Sequence, residues 1–397
     1  MFSNQRPYTV EEIQKQVDIY EGFLDYLEDP VFETHIDWDG DDFYKFVQER
    51  ISNAKSYIQE RGLELGVLGS GDMKVEHIVD NYEHYPEMIF LALQGKRAKA
   101  YQVLESSIVK NLESFAFYSF KSLPGHPVFD DSFNLQAYRI RVGQDEYNSN
   151  FSREDLFHIP FELNHLIANN RFSLSGFPCL YMSNTVYACW EELGRPNIDK
   201  CFVSAFDITN LSFFDLSLSP REVTEKLRKH CDFLKKANEP LQMEYVESFV
   251  TYLTDYLYLW PAIFCSSIKV RNQNSVFKPE YIFPQLILEW FVSVDVCLFD
   301  GIKFRSTKKL SLEGKIEEES SLLAKNYVIP ARKYSHSGFC REYVRKVKLT
   351  QPINYAFQSL LGRNVSVGDN CNQYSSTVFG KIERMLLDED MESIQQN

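Results

Sequence analysis

Two adjacent glutamates close the short apolar run Val186-Tyr187-Ala188-Cys189-Trp190-Glu191-Glu192. Just upstream, Gly176 and Pro178 punctuate a turn, and Cys179-Leu180-Tyr181-Met182 has the texture of a buried strand. Asn184 or Thr185 is a fair N-cap for a helix that Gly194 and Pro196 bring to an end. The acidic pair therefore falls in the last helical turn, at the negative end of the helix dipole, where a carboxylate is mildly disfavoured. An acid kept there beside apolar neighbours invites a functional reading, although an exposed helix end is the commoner reason for such a pair. Glycosidase chemistry would need a second carboxylate, which the sequence does not identify. His158 and His165 have the right chemistry for acid–base work but no nucleophile or carboxylate partner in sight, so they read as structural. Glu76-His77 and Glu83-His84 repeat at seven residues without a strong third ligand and read as surface groups. Asp37-Trp38-Asp39-Gly40-Asp41-Asp42 resembles a calcium loop, but Asp42 stands where glycine is needed and Gln48 where a bidentate glutamate is needed. An acidic helix cap is the better reading of that stretch.

The positioning elements follow from composition and pattern. The chain has 397 residues, 44% hydrophobic and 25% charged, with 31 Phe and 23 Tyr, so most of it folds into core-bearing domains. A net charge of −14 argues against broad nucleic-acid binding. Eight cysteines without a C-x-x-C pair make a zinc site of the usual spacing unexpected, leave no metal assigned and suit a reducing cytosol. Met1 to Pro7 lacks the apolar core of a signal peptide. The most apolar stretch, Val250 to Cys265, is interrupted by Asp255 and Pro261 and is too short and polar for a bilayer. The expectation is a cytoplasmic protein that contacts neither membrane nor nucleic acid.

Along the chain, Thr9-Val10-Glu11-Glu12 is a capping-box pattern opening an amphipathic helix that is expected to stop near Pro30. A second helix is expected from Asp41 to about Arg61. Further helix runs from Val75 to about Phe120, with interruptions at Pro86 and at Gly95-Lys96-Arg97. Leu123-Pro124-Gly125-His126-Pro127 marks a boundary. Tyr138-Arg139-Ile140-Arg141-Val142 alternates as a half-buried strand, and two exposed arginines are its plain reading. Residues 220 to 236 form a charged helix, and 239 to 260 an aromatic helix expected to break at Trp260-Pro261. Tyr281 to Phe291 reads as a buried helix, while Gly301 to Phe304 and Asn326 to Pro330 read as strands. Residues 307 to 325 read as a solvated hairpin or loop, and the last fifty or so as a frayed tail.

These pieces, in this order, resemble the RES-domain family, which is named for an Arg, a Glu and a Ser and whose known members degrade NAD⁺, many as toxins. The resemblance rests on Ala137-Tyr138-Arg139-Ile140-Arg141, on the Gly-x-Pro turn after Arg171, and on the strand closing with Tyr181. It continues with a glutamate eleven positions beyond that Tyr, with the strands Phe202 to Ile208 and Phe213 to Leu216, and with Tyr281 to Gln285 followed by Asp300 to Ser306. It covers roughly half the chain. The implied fold is α+β: a helical N-terminal region (1–125), then a mixed α/β RES-like domain (126–345) resembling the ADP-ribosyltransferase fold. A helical insertion lies at about 220–265, and a C-terminal extension spans 346–397.

The resemblance implies cleavage of the nicotinamide–ribose bond of NAD⁺ by hydrolysis or phosphorolysis, in the manner of an NAD⁺ glycohydrolase, NAD⁺ phosphorylase or ADP-ribosyltransferase. It carries Arg139, Arg171, Tyr181, Glu192 and Ser306 over as site residues, prefers Glu192 to Glu191 by spacing, and adds Gln285 to the nucleotide-binding set. NAD⁺ enters as substrate, with no further cofactor. Phe304 departs from the family, where an aromatic hydroxyl is common, and the long insertion departs as well. The departures and the acidity leave a second reading, a catalytically reduced nucleotide-binding or regulatory module. A toxin or anti-phage effector of this kind implies an antitoxin or regulatory protein, or self-association. The N-terminal helices would control access to a cleft between Arg139, Arg171 and Glu192, or else complete a core.

Overall fold

The computed structural model describes residues 6–40, 42–61, 75–109, 136–143, 151–294, 299–308, 324–354 and 374–394. The boundary read at Leu123 to Pro127 and most of the charged segment 307–325 lie outside them. The chain forms two compact units, Met1–Ser132 with Leu218–Trp290, and Phe133–Ser217 with Phe291–Asn397. The segment read as an insertion at about 220–265 thus lies in the first unit, and residues 346–397 lie in the second.

The first unit is helical. Its opening helix, Val10–Glu21, starts at a capping box in which Thr9 accepts from the Glu12 amide and Glu12 reaches back. It ends at Gly22, ahead of the expected stop near Pro30, because residues 26–32 take tighter 3₁₀ turns. Asp42 caps the helix Phe43–Glu60 by accepting from the Lys45 amide at 3.0 Å, as the acidic-cap reading expects. Two expected interruptions do not occur. The helix Val75–Leu93 runs through Pro86, and Met243–Ser267 runs through Pro261. At Pro261 the physical reason is visible. A proline has no N–H to give the carbonyl four residues back, and that carbonyl, Leu257 O, accepts the Tyr82 hydroxyl at 2.7 Å instead. The next carbonyl, Tyr258 O, accepts from Asn81 Nδ2 at 3.1 Å. Ring packing holds the same helix: Trp260 stacks on Phe264 with centroids 5.3 Å apart, and its Nε1 donates to Phe32 O at 2.7 Å.

The second unit is built on one mixed sheet. Its strands are β1 (Gln136–Val142), β2 (Cys179–Ser183), β3 (Cys201–Asp207), β4 (Phe213–Leu216), β5 (Gly301–Arg305), β6 (Lys325–Pro330), β7 (Lys348–Leu349) and β8 (Ile353–Asn354). The order is β4-β5-β6-β2-β1-β3-β7, with β8 also on β3. β4 and β5 are parallel and the other pairs antiparallel. β3 and β4, consecutive in sequence, therefore lie far apart in the sheet. Gly301 is required where it stands, since a Cβ there would come within 2.5 Å of Val328 O. Side chains alternate between two faces. One face carries Ala137, Leu180, Met182, Phe206, Tyr327, Ile329 and Leu349 in one core cluster. The other carries Tyr138, Ile140, Val203 and Ala205, covered by Val186, Tyr187 and Cys189 and by a C-terminal helix, Val378–Leu387. That helix corrects the expectation of a frayed tail over its residues. Thr377 caps it, and Val378, Phe379, Ile382 and Leu386 form a buried stripe at helical spacing.

Candidate active site

The acid-bearing helix, Val186–Glu192, is short and fixed at both ends. Thr185 caps its start, accepting from the Ala188 amide at 3.1 Å. Its end is a Schellman turn: the Gly194 amide donates to Glu191 O and the Arg195 amide to Trp190 O, each at 3.0 Å. Gly194 takes φ 79°, and Arg195 follows at φ 60°, a left-handed conformation uncommon for a side chain of its kind. The turn separates the two acids. Glu191 is buried, accepts the Tyr187 hydroxyl, and pairs through Oε2 with Arg195 Nε at 2.8 Å. Its oxygens are thus committed to holding the turn. Glu192 is exposed.

Two side chains from distant parts of the sheet converge on Glu192. The Ser306 hydroxyl, just beyond β5, donates to Oε1 at 2.5 Å, and Asn326 Nδ2, on β6, donates to the same oxygen at 2.7 Å. Ser306 is itself buried and accepts from the Lys308 amide at 3.2 Å. Asn326 is oriented from behind by Ser183 of β2, whose hydroxyl donates to Oδ1 at 2.6 Å. Ser183 and Asn326 are register partners on adjacent strands.

The cations and the tyrosine lie along the same segments. Arg171, 7% exposed, donates through Nη2 to Thr307 Oγ1 at 3.1 Å, one residue from Ser306. Phe172 packs on Phe304 with centroids 4.5 Å apart. The Tyr181 hydroxyl donates to Phe172 O at 2.5 Å, and burial raises that hydroxyl well above its ordinary value. Arg139 reaches toward the Tyr181 carbonyl, with Nη1 at 3.5 Å. It does so where β1 and β2 share a single register pair, Tyr138↔Ser183. Burial, with the charge of Arg141, pulls its guanidinium down to about 10, which still leaves it protonated at neutral pH. Contacts thus run from Arg139 through Tyr181 and Phe172 to Arg171, Thr307, Ser306 and Glu192. Gln285 lies on the helix Ile282–Ser293, in the first unit.

Titratable groups outside the set hold its elements. Burial raises the Asp215 carboxyl, but Lys303, 2.8 Å away and its register partner, together with Lys325, outweighs that and holds it down to about 2. This pair ties β5 to β4. Glu383, on the C-terminal helix, accepts the Val186 amide at 2.7 Å and the Tyr374 hydroxyl at 2.5 Å. Burial nevertheless pushes its carboxyl up to about 7. His158 accepts the Cys340 amide on Nε2 at 2.9 Å, so its Nδ1 carries the proton shared with Ile159 O. Burial, helped by the charge of Arg139, holds it down to about 4. It is a structural histidine, as the sequence suggests. Asn326, Ser183 and Glu383 escaped the sequence reading. The one signal available for Asn326 was an amide at the head of an otherwise apolar strand.

Among the described residues, no group of three or more His, Cys, Asp or Glu is placed to hold a metal ion, and no helix is long and apolar enough to cross a membrane. No family model and no solved structure matches the chain. The chain is 32% identical over 252 residues to a protein of Bacillus subtilis (strain 168) named "Putative toxin YopC", the match covering 63% of this chain and 51% of that protein. It therefore spans about half the length of the curated relative it matches.

Proposed function

We propose that the second unit is an NAD⁺-degrading enzyme of the RES type, cleaving the nicotinamide–ribose bond by hydrolysis or phosphorolysis, and that the protein acts as a toxin or anti-phage effector. The observation that carries the reading is the Ser306–Glu192 hydrogen bond. It joins the two residues that the resemblance assigns as Ser and Glu across 114 positions of sequence. The similarity to YopC supports the toxin part.

The chemistry asks little of general acids. When the C–N bond breaks, the electron pair moves to the nicotinamide nitrogen, which loses its pyridinium charge, and an oxygen of water or phosphate bonds to the anomeric carbon, water releasing its proton to solvent. What must be supplied is a hold on the diphosphate and negative charge near the oxocarbenium-like ribose. Arg171 and Arg139 suit the first task, because a guanidinium fork matches phosphate oxygens. The Glu192 carboxylate suits the second. Tyr181, its hydroxyl tied to Phe172 O, offers a ring of fixed orientation for packing against the base.

The test is release of nicotinamide from NAD⁺ by the purified protein, alongside cellular NAD⁺ and growth on expression. Wild type should release nicotinamide, deplete NAD⁺ and slow growth, while Glu192→Gln and Arg139→Ala should do none of these. A soluble wild type that releases no nicotinamide refutes the reading, and NAD⁺ binding without release would leave a nucleotide-binding module in its place.

A further inference from the structure

We propose that Asn326, held by Ser183, is a positioning residue that fixes the Glu192 carboxylate for its substrate. This rests on the NAD⁺ reading above. Glu192 ends a helix on an exposed surface, and a glutamate there has rotamer freedom to lose before it can act on anything. Ser306 alone cannot set its direction, since one hydrogen bond leaves the carboxylate free to swing about it. A second donor on the same oxygen removes that freedom. Asn326 supplies it from a rigid place: it is 5% exposed, lies within a paired strand, and has Ser183, 4% exposed, as its register partner.

The amide also has a defined sense. A carboxylate oxygen only accepts, so the group facing Glu192 must be the NH₂, and the carbonyl oxygen then faces the Ser183 hydroxyl, which donates. Asparagine is the side chain of this length that can donate on one side and accept on the other. Aspartate would set a like charge against Glu192, and leucine would offer no donor. Both donors fall on Oε1, and among the described residues none reaches Oε2. Oε2 is therefore the oxygen left for a ligand, with its direction set by the sheet behind it.

The experiment compares steady-state nicotinamide release by wild type, Asn326→Leu, Asn326→Ala, Ser183→Ala and Glu192→Ala, and by the double variant Asn326→Leu/Glu192→Ala. Misplacing a reacting group by about 1 Å can cost on the order of a hundredfold. Asn326→Leu is accordingly expected to lower kcat by roughly 10- to 100-fold with KM within about threefold, and Ser183→Ala by a smaller factor in the same parameter. The Glu192→Ala background is expected to release no nicotinamide, so the cycle is read by thermal unfolding, where Asn326→Leu should shift the midpoint less than it does in wild type, because Asn326 acts through Glu192. An unchanged kcat, a loss confined to KM, or an equal melting shift of Asn326→Leu in the wild-type and Glu192→Ala backgrounds would overturn the proposal. Should Asn326→Leu not fold, Asn326→Ala and Ser183→Ala decide it by the same criteria. If soluble wild type releases no nicotinamide, the NAD⁺ reading fails, and positioning is decided by thermal unfolding of the Asn326→Leu/Glu192→Ala cycle. Non-additive melting shifts would then support a Glu192 held by Asn326, and additive shifts would overturn it.

Discussion

Replacing each of the two adjacent acids by glutamine should separate stability from activity. At position 191 the substitution keeps a carbonyl oxygen for the Tyr187 hydroxyl but sets an amide, or a neutral oxygen, against the Arg195 guanidinium. Arg195 is part exposed, its side chain at 46%, so water screens some of the loss. A charge-assisted hydrogen bond contributes about 1.5–3 kcal/mol, and about 1–2 kcal/mol is expected here after that discount. Arg195 also holds a left-handed backbone that this ion pair helps to maintain. At position 192 the arithmetic differs. Glutamine Oε1 can still accept from Ser306 and Asn326, and removing a negative charge from a helix C-terminus gains about 0.3–1 kcal/mol. Glu192→Gln should therefore unfold at the wild-type urea midpoint or slightly above it, and Glu191→Gln clearly below. Nicotinamide release should show the reverse order: lost in Glu192→Gln, retained by folded Glu191→Gln. Equal destabilisation by the two substitutions would refute the separation, as would loss of activity in a Glu191→Gln protein of wild-type stability.

Other outcomes follow from the buried groups and from the division of the chain. His158 is held down to about 4 from an ordinary 6.5, so the stability it contributes is present above pH 6.5 and is lost as pH falls through 4. At about 1.4 kcal/mol per unit this is on the order of 3 kcal/mol, and a His158→Gln protein should show a flatter melting curve against pH between 6.5 and 4. Glu383 is raised to about 7 from 4.5, so it destabilises the fold progressively as pH rises from 4.5 to 7, again on the order of 3 kcal/mol. Glu383→Gln, which keeps an acceptor for Val186 and Tyr374, should match wild type near pH 4.5 and melt higher at pH 8. A chain begun at Pro127 should be insoluble, because residues 218–290 would lose the helices they pack on; soluble, monomeric protein on gel filtration would contradict this.

Local chemistry was legible where one segment decides the outcome. The capping box at Thr9 marks a helix start, and the strands around Tyr181, Phe202 and Val328 follow from apolar runs. The preference for Glu192 over Glu191 came from resemblance alone; its physical counterpart, the commitment of Glu191 to Tyr187 and Arg195, needed the turn after the helix. What was not legible depends on partners far away in sequence. Pro261 does not end its helix because Tyr82, 175 positions upstream of Leu257, satisfies the orphaned carbonyl. The helix Val378–Leu387 follows a polar stretch that hides its apolar stripe, and only the sheet face it covers explains that stripe. Asn326 reads as one more strand residue until Ser183 and Glu192 are placed on either side of it.

The division of the chain bears on what the N-terminal helices do. Read in order, residues 1–125 are a region without chemistry, free to serve as a regulator. In the fold the described residues among them share a core with residues 218–290: Tyr20 stacks on Phe249 with centroids 4.4 Å apart, Trp260 lies within 5.8 Å of both Phe32 and Tyr82, and Tyr8 exchanges backbone hydrogen bonds with Leu241. The chain therefore leaves the site-bearing unit after Ser217, completes the helical unit, and returns at Phe291 to supply β5 and Ser306. β1, β2 and the acid-bearing helix precede this excursion, whereas Ser306 and Asn326 follow it. The hydrogen bonds to Glu192 thus close, in sequence, across residues 218–290, the second segment of the helical unit. Their formation depends on a chain that has left and come back, and a cut within 218–290 would separate the acid from both of its donors.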